Sequence, residues 1–380
     1  MFKNIPFERV QWITSSFLIG TLALAVTAVP LYLILVSTGT WFLWALFFFY
    51  TAATGLSITL GYHRLFSHLA FKAKRPVKWF VILFGAAAWE NSVITWSSEH
   101  RRHHKHVDHD DDPYNINLGF WWAHMGWLMF KLKPEAPIDN VKDLEKDPAL
   151  VWQHKYIHFI AAFMGFVLPT LICGLYYGSW MGALGGFLIV GVLRTVIVQH
   201  ATFFINSACH YIGSQPYSST HSARDSWLMA IFTFGEGYHN YHHEFQHDYR
   251  NGVKPWQIDP TKWTIWLLSK VGMTSDLRRV SEAKILLAEI QQARSRIQQG
   301  LDYCGGDQFT EAARLKLQAS IDALHHAQEE LAARYDHLQT VVKDRVEFSK
   351  GRVAVWRREL REAMTHLDEI LEFDLVPRAV

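Results

Sequence analysis

Four apolar stretches dominate the chain, from about Trp12 to Val36, Trp41 to Leu60, Tyr156 to Tyr177 and Trp180 to Val198. Each is close to or beyond the ~20 residues that a helix needs to cross the hydrocarbon of a bilayer. In lipid every backbone polar group must be satisfied within the segment, so such runs admit little besides helix. Ser37 to Thr40 joins the first two and Gly178-Ser179 the last two, and neither joint carries a charge. Lys3, Arg9, Arg64, Lys72, Lys74, Arg75 and Lys78 all fall on the opposite side. The positive-inside rule therefore places that side, with both termini, in the cytoplasm. The expected fold is an all-α, multi-pass integral membrane protein with four transmembrane helices. A cytosolic helical cap, from 61–155 and 199–280, completes a membrane domain over 1–280. A further apolar run, Val77 to Val93, contains Glu90 and Asn91 and reads as a buried or interfacial helix. Gly119 to Lys131 is aromatic and amphipathic and reads as a helix in the membrane interface.

The remaining composition excludes more than it specifies. A net charge of +2 with no basic run gives no footing for nucleic acid. Cys173, Cys209 and Cys304 are far apart and odd in number, so they form neither a zinc pattern nor a disulfide framework. A reducing compartment follows. The first apolar run is too long for a cleavable signal peptide and lacks an A-x-A-like site.

Nine histidines stand in four groups, all on the cytoplasmic side of this topology: His63 and His68; His100, His103 and His104; His210; and His239, His242 and His243. The second and fourth groups share the spacing i, i+3, i+4, which puts three imidazoles on one helical face. Adjacent histidines sit about 100° apart around a helix, so a doublet can serve two different ions. His63 and His68 are five apart, about 140° around an α-helix, and converge only where the helix ends or bends. Asn206 and His210 are four apart on one face, just after the fourth span. Nine neutral imidazoles exceed what one first-row metal takes, so the pattern points to two ions in a nitrogen-rich site. Zinc has no redox chemistry. A pair of nitrogen-bound irons can activate O₂ against an unactivated C–H bond, and a membrane location suggests a lipid substrate. From the residues alone the reading is a membrane di-iron oxygenase or desaturase. His124, His154, His158, His200 and His221 read as ordinary packed histidines, and His106 and His109 as solvated or supporting ones.

Four stretches carry a resemblance: GYHRLFSH (Gly61–His68), EHRRHHKHVDHDDDPYN (Glu99–Asn115), HATFFINSACHYIG (His200–Gly213) and GEGYHNYHHEFQHDYR (Gly235–Arg250). Over roughly residues 10–290 the chain resembles the membrane fatty acyl desaturases, in particular the stearoyl-CoA (Δ9) branch. The N-S-A-x-H element at Asn206 to His210 separates that branch from related hydroxylases. The resemblance implies one iron held by His63, His68, His100, His104 and His242. It implies a second held by His103, His210, His239 and His243, with Asn206 contacting it through a water. It also implies an acyl tunnel touched by Asn91, Trp96 and Thr202, and O₂-dependent formation of a cis double bond, at C9–C10. In two places the chain departs from the animal members: Ser98 stands where they have an arginine, and Glu90 where they have a glutamine. Acyl-CoA is the substrate the resemblance implies, and loss of a guanidinium beside a phosphate-rich head group leaves acyl-lipid and acyl-carrier-protein substrates open as alternatives.

From about Ser281 the composition turns to Ala, Glu, Arg, Gln and Leu. Leu317, Ile321, Leu324, Gln328, Leu331, Tyr335, Leu338 and Val342 alternate by four and three, a heptad seam with one polar position. Region 281–380 is thus expected to form a helical hairpin or coiled coil, broken at Cys304-Gly-Gly-Asp307 and capable of self-association. No His-Pro-Gly-Gly haem element is present, so the electron donor is expected to be a separate protein of ferredoxin, cytochrome b5 or flavin reductase type. Two other readings compete: a lipid or alkane hydroxylase on the same di-iron core, and a non-catalytic metal-binding scaffold that works through its coiled coil.

Overall fold

The computed structural model describes residues 7–36, 40–132, 137–303, 311–341, 354–362 and 365. Two compact units emerge, one from Met1–Ser214 with His221–Arg278, the other from Gln215–Thr220 with Arg279–Val380.

In the first unit four helices are long and apolar enough to cross a membrane: α1 (Trp12–Leu35), α2 (Trp41–Ser67), α5 (Pro148–Tyr177) and α6 (Trp180–His210). Between α2 and α5 lie α3 (Arg75–Ala86) and α4 (Val93–His106). After α6 come α7 (Trp227–Phe232), α8 (His239–Glu244) and α9 (Pro260–Lys270). The only sheet among the described residues is a two-residue antiparallel pair, β1 (Lys72–Ala73) with β2 (Thr274–Ser275), in register Lys72↔Ser275.

Two of the spans are longer than their apolar composition foretells. The 27 residues of α2 and 31 of α6 exceed the ~20 that cross the hydrocarbon, whereas α5 is kinked at Tyr156, where its apolar run begins. The surplus of α2 and α6 lies at the ends that carry His63 and His210. Lys78 to Ala86 packs as the second half of α3, burying Val81, Ile82 and Gly85 while Trp79 and Phe80 face outward.

Local signals set the helix ends. Gly178 (φ 60°) closes α5 in the left-handed region, and Ser179 then caps α6 by accepting from the Gly182 amide at 3.1 Å. Ser92 caps α4, Asp147 caps α5 ahead of Pro148, and Asp259 caps α9 ahead of Pro260. An arginine deep in α6 is satisfied internally. Arg194, fully buried, donates to the carbonyls of Ala87, Gly165 and Val190 at 2.5–3.1 Å, tying α6 to the end of α3 and to α5.

The second unit holds α10 (Glu282–Tyr303) and α11 (Glu311–Val341), which pack on each other. Ala283, Leu286, Ile290 and Ala293 are buried on α10, and Leu324 and Ala327 on α11. Within the heptad seam Leu324 is buried and Ile321 and Gln328 are half-buried, with Arg294 of α10 donating to Gln328 Oε1. The break at Cys304–Asp307 and Val342 lie outside the described residues, as do the side chains of Leu317, Leu331, Tyr335 and Leu338.

Candidate metal centre

The last turns of α2 are not α-helical. Ser57–Ser67 is a π-helix, and the His68 amide donates back to the His63 carbonyl at 3.1 Å, five residues away. In an i→i+5 helix, residues five apart stack on one face. This is how His63 and His68 come together at the helix end, where His68 is the C-cap. The α4 block presents His100, His103 and His104, α8 presents His239, His242 and His243, and a 3₁₀ turn after Asn206 presents His210.

All nine converge into two groups: His63, His68, His100, His104 and His242 in one, and His103, His210, His239 and His243 in the other. Within each group the ligand atoms lie within 4.8 Å of one another. In the first, Nε2 atoms face each other at 2.9 Å (His63, His242), 2.8 Å (His68, His100) and 3.0 Å (His242, His104). In the second, the separations are 3.3 Å (His103, His243), 3.1 Å (His239, His210) and 3.1 Å (His243, His239). Spacings of ~3 Å are those of neighbouring nitrogens around an ion with bonds of about 2.1 Å. Facing lone pairs at this distance repel, and a cation at the common centre removes that cost. Burial first, and then the neighbouring imidazoles, hold His68, His100, His104, His239, His242 and His243 well below the ordinary imidazole range. They are neutral near pH 7, as ligands must be. The donor set fits a metal centre.

The side chains behind the histidines were not legible in the sequence. Asp112 accepts from His103 Nδ1 at 2.9 Å. His210 Nδ1 meets Ser222 Oγ at 2.7 Å, and Ser222 donates to Asp108 at 2.5 Å. Glu236 Oε2 stands 2.9 Å from His63 Nδ1, off the ring N–H direction. Arg64 donates twice to Glu236 and once to Asp259. Burial alone would raise the Glu236 carboxyl, but Arg64 and His63 outweigh it and hold it below the usual range. Such partners fix the ring orientation and tautomer of a metal-binding histidine. Glu236 could have been suspected three residues before His239 in GEGYHNYHH, and Asp112 in HDDDPYN, but nothing local says which carboxylate turns inward.

A cavity of about 290 Å³ opens beside the five-histidine group. Asn91, Trp96, Thr202 and Asn206 all line it, together with His100, and Trp96 stacks on the His100 ring at 4.8 Å. Glu90 also lines it, with both carboxylate oxygens buried and no well-formed hydrogen bond among the described residues. Burial pushes its carboxyl up to about 8, and Thr202 and Trp96 beside it offset only part of that. Ser98 points away to Asn140, donating to its Oδ1 at 2.7 Å, and Asn140 returns a bond to the Ser98 carbonyl at 3.0 Å.

The other histidines stand outside both groups. His124 bonds His200 and Ser207 at 2.9 Å each, and His154 bonds Ser92 at 2.7 Å. His158 lines the cavity, and the His221 ring lies 5.1 Å from that of His243. His109 is exposed, and His106 is half-buried with its Nδ1 3.8 Å from Asp111.

Comparison with known proteins places this arrangement. The fatty acid desaturase family profile matches residues 9–266, which hold all nine histidines. The chain belongs to this family. Within it, the chain is 46% identical over 244 residues to a probable acyl-CoA desaturase of Schizosaccharomyces pombe, covering 64% of this chain and 50% of that protein. It is 44% identical over 250 residues to acyl-CoA desaturase 1 of Saccharomyces cerevisiae, covering 66% and 48%. It is 37% identical over 231 residues to an sn-1 stearoyl-lipid 9-desaturase of Anabaena variabilis, covering 60% and 81%. The chain thus spans about half the length of the two yeast relatives. The family is one of membrane proteins, and the four long apolar helices agree with that.

Proposed function

We propose that this protein is an O₂-dependent di-iron fatty acyl desaturase that introduces a cis double bond at C9–C10 of a saturated acyl chain. The observation that carries the reading is the convergence of nine histidines into two groups beside a cavity next to the membrane spans. His63, His68, His100, His104 and His242 would hold one iron. His103, His210, His239 and His243 would hold the other, with Asn206 reaching it through a water. When bound, the pair supplies the oxidising power to remove two hydrogens from the chain, with O₂ and two electrons plus two protons leaving as two waters. The protein's share is positioning. Trp96, braced on His100, and Thr202 form the wall that sets which carbons face the histidines, so regiochemistry follows from where the chain is held. Glu236, Asp112 and the Ser222–Asp108 pair keep the imidazoles aimed. Domain 1–280 carries the chemistry, with its active site and both termini on the cytoplasmic side. Electrons come from a donor protein of ferredoxin, cytochrome b5 or flavin reductase type.

Acyl-CoA is the carrier named for the two yeast relatives and is the first expectation here. An acyl-lipid is the second, and Ser98 favours it. That position holds a buried hydroxyl bonded to Asn140, with no guanidinium to meet a phosphate. Expression in a desaturase-deficient host fed labelled palmitate and stearate separates these readings. Head groups are resolved before double-bond mapping. A cis-9 product is expected, first in the CoA pool for an acyl-CoA enzyme and first in intact lipid for the alternative. A hydroxylated chain, or no product from protein carrying two irons, would overturn the desaturase reading.

A further inference from the structure

The two histidine groups differ in what stands behind them. In the five-histidine group, His63 meets Glu236, whose charge is shared with the bidentate Arg64 and whose second oxygen also accepts from Asn251 at 2.6 Å. The charge of that outer partner is thus offset in part by a guanidinium that it shares with Asp259. In the four-histidine group two ligands are backed by carboxylates of one short loop, the residues that follow α4. Asp112, almost fully buried, accepts from His103, from the Asp108 amide at 3.1 Å and from the Tyr114 amide at 3.2 Å. Asp108 accepts from both the amide (2.6 Å) and the hydroxyl (2.5 Å) of Ser222, which receives His210. Neither aspartate contacts a lysine or arginine among the described ion pairs.

The loop is built for this. Asp108 holds a left-handed backbone (φ 65°), a region that aspartate enters more readily than most side chains. Asn117 donates to the Asp108 carbonyl at 3.0 Å and Asn115 to the His109 carbonyl at 2.9 Å, fixing the turn from behind. The Tyr114 ring lies tilted against that of His103, centroids 4.4 Å apart. Chain conformation, side-chain bonds and ring packing all converge on aiming two carboxylates at one histidine group.

We propose that residues 107–115 are the anionic half of the four-histidine position: Asp112 and Asp108 are positioning residues that, through His103 and Ser222–His210, make up for its smaller donor set. This rests on the metal reading above. Carboxylate partners of metal-bound histidines make the ring a better donor, and losing one typically costs about 10–100-fold in metal affinity. The two positions should therefore respond separately to their own partners.

The test titrates ferrous iron anaerobically into metal-free full-length protein, with iron counted per chain and Mössbauer spectra recorded. Wild type should bind two irons in two distinguishable environments. Asp112→Asn should weaken one of them by about 10–100-fold and leave the other unchanged. Asp112→Glu should recover part of the loss. Glu236→Gln should act on the opposite environment. If Asp112→Asn does not fold, Ser222→Ala, which removes one hydroxyl, should weaken the same environment to a lesser degree. Loss of both irons in parallel from Asp112→Asn or Ser222→Ala, or no loss from either, would overturn the inference. A wild-type protein that binds no iron would instead sink the metal reading itself.

Discussion

Within the 1–214 and 221–278 unit many of the deepest side chains are charged or polar, whereas among the described residues of 279–380 most are apolar. Arg64, Arg194, Glu236, Asp248 and Asp259 are all at most 1% exposed in the first, while Ala283, Leu286, Ile290, Leu324 and Trp356 fill the second. Burying an ion costs several kcal/mol unless geometry and hydrogen bonds repay it, and removing one partner of such a pair is more damaging than the pair is stabilising. A helical pair with an apolar seam tolerates change gradually, but a network such as Arg64–Glu236–Asp259 does not. The contrast marks where the molecule has been shaped for chemistry rather than for packing.

The sharpest way to break that contrast is to remove a ligand. His242→Ala should reduce double-bond formation to background and lower the iron content, as read by gas chromatography of cellular fatty acids and metal analysis of purified protein. A Leu324→Ala change in the other unit should leave both untouched. Next in size, Arg64→Met strands Glu236 and Asp259 as buried, unpaired carboxylates. A loss of about 3–5 kcal/mol is expected, seen as a lower thermal midpoint. Stability unchanged within error would show that the network carries little.

A smaller effect tests Glu90. Its carboxyl is raised from 4.5 to about 8 in the fold, so the neutral form suits the folded state. Stability from this group is full below pH 4.5 and is lost as pH rises towards and through 8. Glu90→Gln is neutral throughout, so the variant's melting point should gain on wild type between pH 6 and pH 9. A constant gap would mean that Glu90 is already ionised at pH 6. The smallest effect concerns the division itself. Removing residues 281–380 should leave desaturation near the wild-type rate, and a large loss would tie the helical region to the chemistry.

Much of this architecture was legible because its signals are local. Apolar length announces a span, and the i, i+3, i+4 spacing announces a helical face, so α1, α2, α5, α6 and the two histidine blocks could be read in advance. Trp96 and Thr202 could be placed by resemblance, and both line the cavity. What escaped depends on distant partners. Glu236 finds Arg64 across 172 residues, and Ser222 finds Asp108 across 114. HDDDPYN offers three neighbouring aspartates with equal claims, and only the turn of the chain selects Asp112. The extent of α2 and α6 escaped because their emergent turns are polar and look like loop.

The π-helical close of α2 makes segment length itself a carrier of information. A π turn holds an extra residue relative to an α turn, so excising a single residue between Ser57 and His63 could relax the stretch towards α-helix while leaving every ligand present. The histidine count would be unchanged, and so would the composition, yet rotation of His63 by about 100° would point its ring away from His242. In this part of the chain a one-residue deletion is expected to be as damaging as loss of a ligand. Relatives that keep all nine histidines but differ in this spacing should not be assumed to share the chemistry.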